Sequence, residues 1–393
     1  MLSDVDILID ETWSATPYTW GQFLTDYSLP ATSTLKFVSQ RQVWRLDGLT
    51  NGAGSGNDWF SGAVAEPDAV LEDLIGVVRS GTPGTWLRRL NGGSPQVAAL
   101  PGSCVNPLAT AVPRGQACAA PSCPVTAPLG ADEDAFPHKV QVVRAKLFTV
   151  EYHKTYKVVH NTQADEWYLL YQCGTPRPAG YADHKNFSVP LQAVAVADTS
   201  VLHFLELLGV QGAVRYMQTE YTTSACLQAQ AASGAILSLL PSTTTPAGQA
   251  QLAAVNALFT YSASPNPKSI AFTATSDPGP LNRAEWIKFA ALFFNQEAAA
   301  ETLFNTIQQR YLCHQQAVSG VASKPVVAWT YYATWSQQWV LSRAPYKRQF
   351  LQAAGAQEVG NATADETFTS AAPKALSSLL WPGVQASSLP APL

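Results

Sequence analysis

Two carboxylates stand side by side at Asp10 and Glu11, closing the apolar run Val5 to Ile9 in "MLSDVDILIDETW". Paired carboxylates are the raw material of general acid–base catalysis. At the carboxyl end of a parallel strand they equally line a ligand crevice without reacting, and that is the reading adopted. Thr12 and Trp13 follow them and suit ligand contact. Nucleophilic catalysis has little support, because "DTSV" and "TTSACLQ" lack the G-x-S-x-G elbow. The six histidines are scattered; His203 reads as a core residue, and His153 with His160 is a weak metal pair. The six cysteines, Cys104, Cys118, Cys123, Cys173, Cys226 and Cys313, have no zinc-ligand spacing. No catalytic residue, metal site or cofactor is expected, and the chain is read as a binding protein rather than an enzyme.

Aromatic residues at strand ends carry the stronger signal. Tyr152 and Tyr156 flank an early strand, Tyr261 follows "ALFT", and Trp329, Tyr331, Tyr332 and Trp335 follow "KPVVA". Such positions suit a large, flat, partly apolar ligand gripped in a cleft. Thr199 lies where another strand ends. Arg343 and Lys347 could meet a phosphate or carboxylate on the ligand, or else sit solvated at a helix start. The stretch Gly56-Asn57-Asp58-Trp59 has no strand–GxGxxG–helix context, so it reads as a shaped loop anchored by Trp59 and Phe60.

The elements that must position these residues alternate. The patterns predict a strand over 5–9, a helix over 19–27, a strand over 41–46 and a helix over 67–78. Residues 91–137 are rich in Pro, Ala and Gly and read as a linker holding three cysteines. Strands are expected over 140–150, 156–160, 167–174, 189–196, 257–261 and 269–273, with a helix over 201–208 closed by Gly209. A long helical tract covers 281–316, with a break expected at Asn295. A strand over 325–331, a helix over 346–354 ended by Gly355, and a helix over 370–380 complete the chain. Alternation of this kind implies parallel sheets flanked by helices.

Hydrophobic residues are 47% of the 393 and charged residues only 13%, with a net charge of −4. No basic stripe points to nucleic acid, and no apolar run reaches the length of a membrane span. Asn186-Phe-Ser and Asn361-Ala-Thr are glycosylation candidates. With an even cysteine count they point to an extracellular, cell-surface or secretory location. Against it stands the start at Met1 without a signal peptide, read as a possible truncation. Cys173 and Cys226 are disulfide candidates, and the other four remain for a second bridge or none.

The order of elements resembles the single-long-helix class of ABC-type substrate-binding proteins, which carry iron–siderophore complexes and vitamin B12. Residues 189–282 resemble that class's first lobe, and "GPLNRAEWIKFAALFFNQEAAAETLFNTIQQRY" its linking helix. "KPVVAWTYYATW" and "YKRQFLQAAGAQ" resemble the opening of the second lobe; "DVDILIDETW", "RQVWRLDG" and "PDAVLEDLIGVV" resemble its end. "YHKTYKVV", "YLLYQCGTPRP", "AEWIKF", "YKRQF", "DILIDETW" and "GNDWF" are similar to a divergent eukaryotic, algal branch that includes cobalamin acquisition proteins. The order is rotated, as in a circular permutant or a fragment of a tandem protein.

The resemblance implies two parallel-sheet β/α lobes joined by one long helix, the second lobe built from both chain ends. The expected division is 1–90 (end of the second lobe), 91–137 (linker), 138–282 (first lobe), 283–318 (linking helix) and 319–393 (start of the second lobe). It further implies uptake of a bulky small molecule, cobalamin first and a ferric chelate second, with a membrane transporter or receptor as partner. An α/β enzyme and a nonfunctional fragment are the competing readings. The expected ligand contacts are Asp10, Glu11, Trp13, Tyr152, Thr199, Tyr261, Trp329, Tyr331, Tyr332, Trp335 and Arg343.

Overall fold

The computed structural model describes residues 2–12, 14, 18–91, 93–97 and 133–368. The fold is mixed α/β with several parallel strand pairings. The chain divides into two compact units. One takes residues 1–59, 68–97 and 310–393, and the other takes 60–67 and 98–309.

In the first unit the strand Ile7–Asp10 is central and wholly buried. It pairs in parallel with Val326–Ala333 on one side and Val43–Arg45 on the other. The two ends of the chain are thus joined in one sheet, as the resemblance implies. Gln357–Glu358 adds in parallel beyond Val326, while Gln338–Leu341, Glu366–Phe368 and Arg88–Arg89 add antiparallel pairs. The core on one sheet face joins Leu8, Val43, Ala328 and Tyr332 to Phe23, Tyr27, Phe37 and Trp339. Tyr27 crosses that core to hydrogen-bond Thr330 through hydroxyls 2.6 Å apart. The helix Trp20–Asp26 that carries Phe23 is capped by Thr19, whose hydroxyl accepts from the Gln22 N–H.

The second unit holds a five-stranded parallel sheet in the order Leu237–Ser238, Val214–Met217, Val194–Val196, Ala257–Thr260, Ser269–Ala271. The first strand of this sheet in sequence, Val194–Val196, is therefore inside, and the order reverses beside it. The helix Ser200–Leu207 ends as expected at Gly209, whose φ of +71° is the left-handed conformation glycine adopts readily.

Several expectations need correction. The strand expected over 140–150 begins only at Phe148. The preceding backbone N–H groups of Val143, Arg144 and Ala145 donate to buried Glu285, and that of Lys146 to buried Asp277, rather than to a ladder. The strand expected over 189–196 is two strands in two sheets: Lys185–Val189 ends before Pro190, which has no N–H to donate. Phe148–Tyr152, Tyr156–Asn161, Glu166–Gln172 and Lys185–Val189 form a separate, mainly antiparallel sheet. Residues 96–97, expected in a linker, pair with Leu49–Thr50. Residues 98–132 and the helix expected over 370–380 lie outside the described residues.

The long tract does break at Asn295, which takes φ +53°. Trp286–Leu292 is buried on every residue, so it is a core helix of the second unit. The helix Glu297–Val318 follows, 22 residues or about 33 Å long. The break has a cause: buried Lys157 donates to the Leu292 carbonyl at 2.6 Å, the Asn295 side-chain oxygen at 2.9 Å and the Glu297 carboxylate at 2.6 Å. It thus terminates one helix and ties down the start of the next. The division between the units falls within this helix, after Gln309.

If the chain start is structurally welded to residues 326–341, Leu8→Ala should destabilise the protein by about 2–5 kcal/mol. Urea unfolding measures it; a loss below about 1 kcal/mol would mean that this strand does not carry the core.

Candidate functional site

Alternation along the strand sends Asp10 and Glu11 to opposite faces of the first unit's sheet. Each meets its own buried cation. Asp10 is fully buried and accepts from the Thr12 N–H at 2.9 Å, the Thr12 hydroxyl at 2.5 Å and Arg45 Nη1 at 2.8 Å. Arg45 lies 4.3 Å over the Tyr18 ring and 3.6 Å from Asp47, which Arg88 clamps with two bonds of 2.8 Å. The sequence of charges Asp10–Arg45–Asp47–Arg88 alternates in sign, so each ion is neutralised by its neighbours. Asp10 is a structural anchor rather than a ligand rim.

Glu11 faces the other way. One carboxylate oxygen accepts from the Trp59 indole N–H at 3.1 Å, and the other is bonded to Lys347. Lys347 is buried against expectation, and its ammonium sits 5.4 Å from the ring centres of Trp329 and Tyr331 and 5.6 Å from Tyr346. Burial works against this charge, but Glu11 and the neighbouring tyrosines outweigh it and hold the lysine pKa above its ordinary value. Burial, then Asp365, pushes the Tyr331 hydroxyl above the usual tyrosine range, and Lys347 opposes. Trp329 packs 5.7 Å from Trp59 and is buried, with its indole N–H lacking a hydrogen-bond partner. Tyr331 is half-buried, and Trp335, 6.3 Å from it, is 65% exposed.

The remaining expected residues are dispersed. Tyr332 is on the opposite sheet face, packed edge-on to Trp339 in the core. Arg343 is buried and committed to Glu358, Glu366 and the Val359 carbonyl, so its charge is already neutralised. Tyr152 belongs to the antiparallel sheet, where its hydroxyl accepts from the Val140 N–H at 3.1 Å. Trp13 lies outside the described residues. Thr199 and Tyr261, 49% exposed, follow adjacent parallel strands in the second unit, Val194–Val196 and Ala257–Thr260. Asp198 beside Thr199 has its pKa raised by burial, against a hydrogen bond from the Ser200 N–H. His203, expected in the core, is half-buried and bonded to Glu66 at 2.6 Å. Phe60 is 45% exposed and does not anchor its loop; Trp59 does.

Cys173 and Cys226 are disulfide-bonded, and Cys313 is a free, exposed thiol. The Asn186 side-chain amide donates to the His184 carbonyl at 2.7 Å within a strand, whereas Asn361 is exposed in a loop. Among the described residues no cluster of histidine, cysteine or carboxylate side chains could hold a metal, and no helix is long and apolar enough to cross a membrane.

Both groupings sit where open α/β sheets place ligands. In the second unit the strand order reverses between Val194–Val196 and Ala257–Thr260, and Thr199 and Tyr261 lie at the carboxyl ends of those strands. In the first unit, taking residue 326 as the start and running through the chain ends, the order reverses between Val326–Ala333 and Ile7–Asp10. Tyr331 and Glu11 mark that point. Ligands bind at such topological switch points. No protein-family model matches the chain, and no curated protein matches it significantly.

Glu11→Gln should strand the buried Lys347 charge and cost about 3–5 kcal/mol, with Glu11→Gln/Lys347→Met recovering most of it. Equal losses in the single and double variants, in denaturant melts, would show no coupling. Because the folded lysine pKa is raised, the pair's stabilisation is fully present below the ordinary value of 10.5 and fades as pH climbs past the folded value. The stability of the wild type relative to the double variant should therefore be constant at pH about 7–9 and fall above pH about 10.5.

Proposed function

We propose that the protein is a substrate-binding protein of the ABC uptake type, its two units serving as the two lobes joined by the helix Glu297–Val318. It captures a bulky small molecule without covalent chemistry. Cobalamin is the first ligand, with a ferric chelate as the alternative. It works outside the cell or at its surface and hands its ligand to a membrane transporter or receptor. The observation that carries this reading is the matched switch point in each unit, bordered by Glu11 and Tyr331 in one and by Thr199 and Tyr261 in the other.

The chemistry of the first site agrees with a large, partly apolar ligand. Trp335 and Tyr331 present accessible ring surface, while the Glu11–Lys347 pair behind them supplies a fixed dipole. Asp10 and Arg343 enter the reading only as supports, since both are saturated by internal partners.

Titration with cyanocobalamin and with a ferric hydroxamate chelate tests it. One of the two should bind, and Tyr331→Ala/Trp335→Ala should weaken that binding about tenfold or more, equivalent to ~1.4 kcal/mol. Thermal unfolding of the Trp335→Ala variant should be nearly unchanged, because the side chain is exposed. A folded protein that binds neither compound overturns the reading.

A further inference from the structure

The antiparallel sheet of the second unit carries a row of six aromatic rings that the proposed uptake function does not use. His153 stacks on Tyr156 at 4.2 Å, Tyr156 meets Tyr181 at 5.6 Å, and Tyr181 meets His184 at 5.1 Å. His184 then meets Trp167 at 5.5 Å, and Trp167 stacks on His160 at 3.8 Å with the planes 7° apart. Three of the chain's six histidines are in this row.

The row is built by strand register. His160 is directly opposite Trp167, Tyr156 opposite Tyr171, and Leu169 opposite Asn186. These residues therefore share the sheet face opposite to Tyr168 and Phe187, which pack on Phe289 and Phe293 in the core. Tyr181 and His184 come from the loop before Lys185, and the Tyr181 hydroxyl donates to that of Tyr156 at 3.1 Å. Trp167 is 42% exposed, so an indole of about 150–250 Å² is left partly in water rather than buried.

The polar groups along the row define its chemistry. Glu151 lies 3.2 Å from His153 and Asp165 3.4 Å from His160, and both carboxylates are largely exposed. Exposed carboxylates repel phosphate, and the two lysines within the strands are turned inward, Lys157 to Glu297 and Lys185 to Glu166 and Ser269, so that exposed Lys154 and Arg177 stand only at the His153–Tyr181 end of the row. A nucleic-acid strand needs cations along its path. Burial holds the His184 imidazole pKa below its ordinary value, which favours the uncharged ring. At the same end of the row, His184 Nδ1 and the Asn186 side-chain oxygen are buried without a hydrogen-bond partner. Hydroxyl groups both donate and accept, and so match an acceptor oxygen and a neutral imidazole together.

From this row of rings with carboxylate, imidazole and amide groups at its margins, we propose that the outer face of the sheet is a binding platform for a neutral oligosaccharide. Sugar rings pack their apolar C–H faces on Tyr181 and on the side of Trp167 that His160 leaves uncovered. Their hydroxyls bond to Asp165, Glu151 and the tyrosine hydroxyls, and a small shift of the Trp167 indole opens the unpartnered atoms of His184 and Asn186. The site shares no residue with either switch point and does not depend on the ligand proposed for them.

The test is a titration of the protein, produced without glycans, with hexasaccharides of cellulose, xylan, laminarin, starch and chitin, followed by tryptophan fluorescence and calorimetry. At least one should bind with Kd of about 1 mM or tighter. Trp167→Ala should weaken it about tenfold or more, Trp167→Phe should retain part of the affinity, and salt should have little effect. Any cyanocobalamin or ferric-chelate binding should be unchanged in both variants. Unfolding curves of the two variants should match wild type, since the side chain is partly exposed. The proposal fails if no hexasaccharide binds, or if binding survives Trp167→Ala. It also fails if the face instead binds oligonucleotide in a salt-sensitive way, or mediates self-association that Trp167→Ala abolishes.

Discussion

The strand Ile7–Asp10 must be buried on both faces and yet end in two charges. The placement of Arg45, Trp59 and Lys347 in the first unit follows from how that conflict is met. Alternation splits the charges, so neither carboxylate has to tolerate the other at close range. Asp10 is neutralised by Arg45 and then by the Asp47–Arg88 pair; Glu11 is neutralised by Lys347 and oriented by Trp59. Two of these cations come from opposite ends of the sequence. Arg45 follows Asp10 by one β/α step, whereas Lys347 lies on the helix after Val326–Ala333. Burying the strand is therefore inseparable from joining the two chain ends, because a strand flanked on one side alone would leave Glu11 or Asp10 desolvated without a partner.

That joining gives the two units a common logic. In the second unit an inner strand, Val194–Val196, is extended first to one side and then to the other. In the first unit Val326–Ala333 plays the same part, with Gln357–Glu358 on one side and Ile7–Asp10 then Val43–Arg45 on the other. The pairing of Val326–Ala333 with Ile7–Asp10 follows this pattern once the unit is read across the chain ends. Phe60–Pro67 belongs to the second unit, where Glu66 meets His203 and Ser61 meets Thr223 at 3.0 Å, while the flanking residues belong to the first.

Much of this was legible in the sequence where local pattern and burial agree. The apolar runs at 5–9 and 326–331, the helix 67–80 with Pro67 at its start, and the stops at Gly209 and Gly355 are local signals that tertiary packing left intact. The break at Asn295 was legible for the same reason. Residues 140–147 were not: their β-like composition is real, but Glu285 and Asp277, over 130 residues away, claim the backbone donors that a ladder would have used. The fate of Lys347 and Arg343 was equally hidden. A basic residue at a helix start reads as solvated until its distant carboxylate partner, Glu11 or Glu358, is known.

The aromatic residues illustrate the same limit from another side. "VVAWTYYATW" offers four rings within seven positions, and composition treats them alike. Register separates them. Trp329 and Tyr331 share the face of Glu11 and Lys347, Tyr332 turns into the opposite core against Trp339, and Trp335 lies past the strand end in water. A ligand can compete only for surface that folding has not already used. Of the four, Tyr331 and Trp335 retain such surface, whereas Trp329 contributes by holding Lys347 and Trp59 in place. Hence the useful distinction among strand-end aromatics is between those that complete the packing around a buried charge and those left outside it. Only the pairing partner of each strand decides which is which.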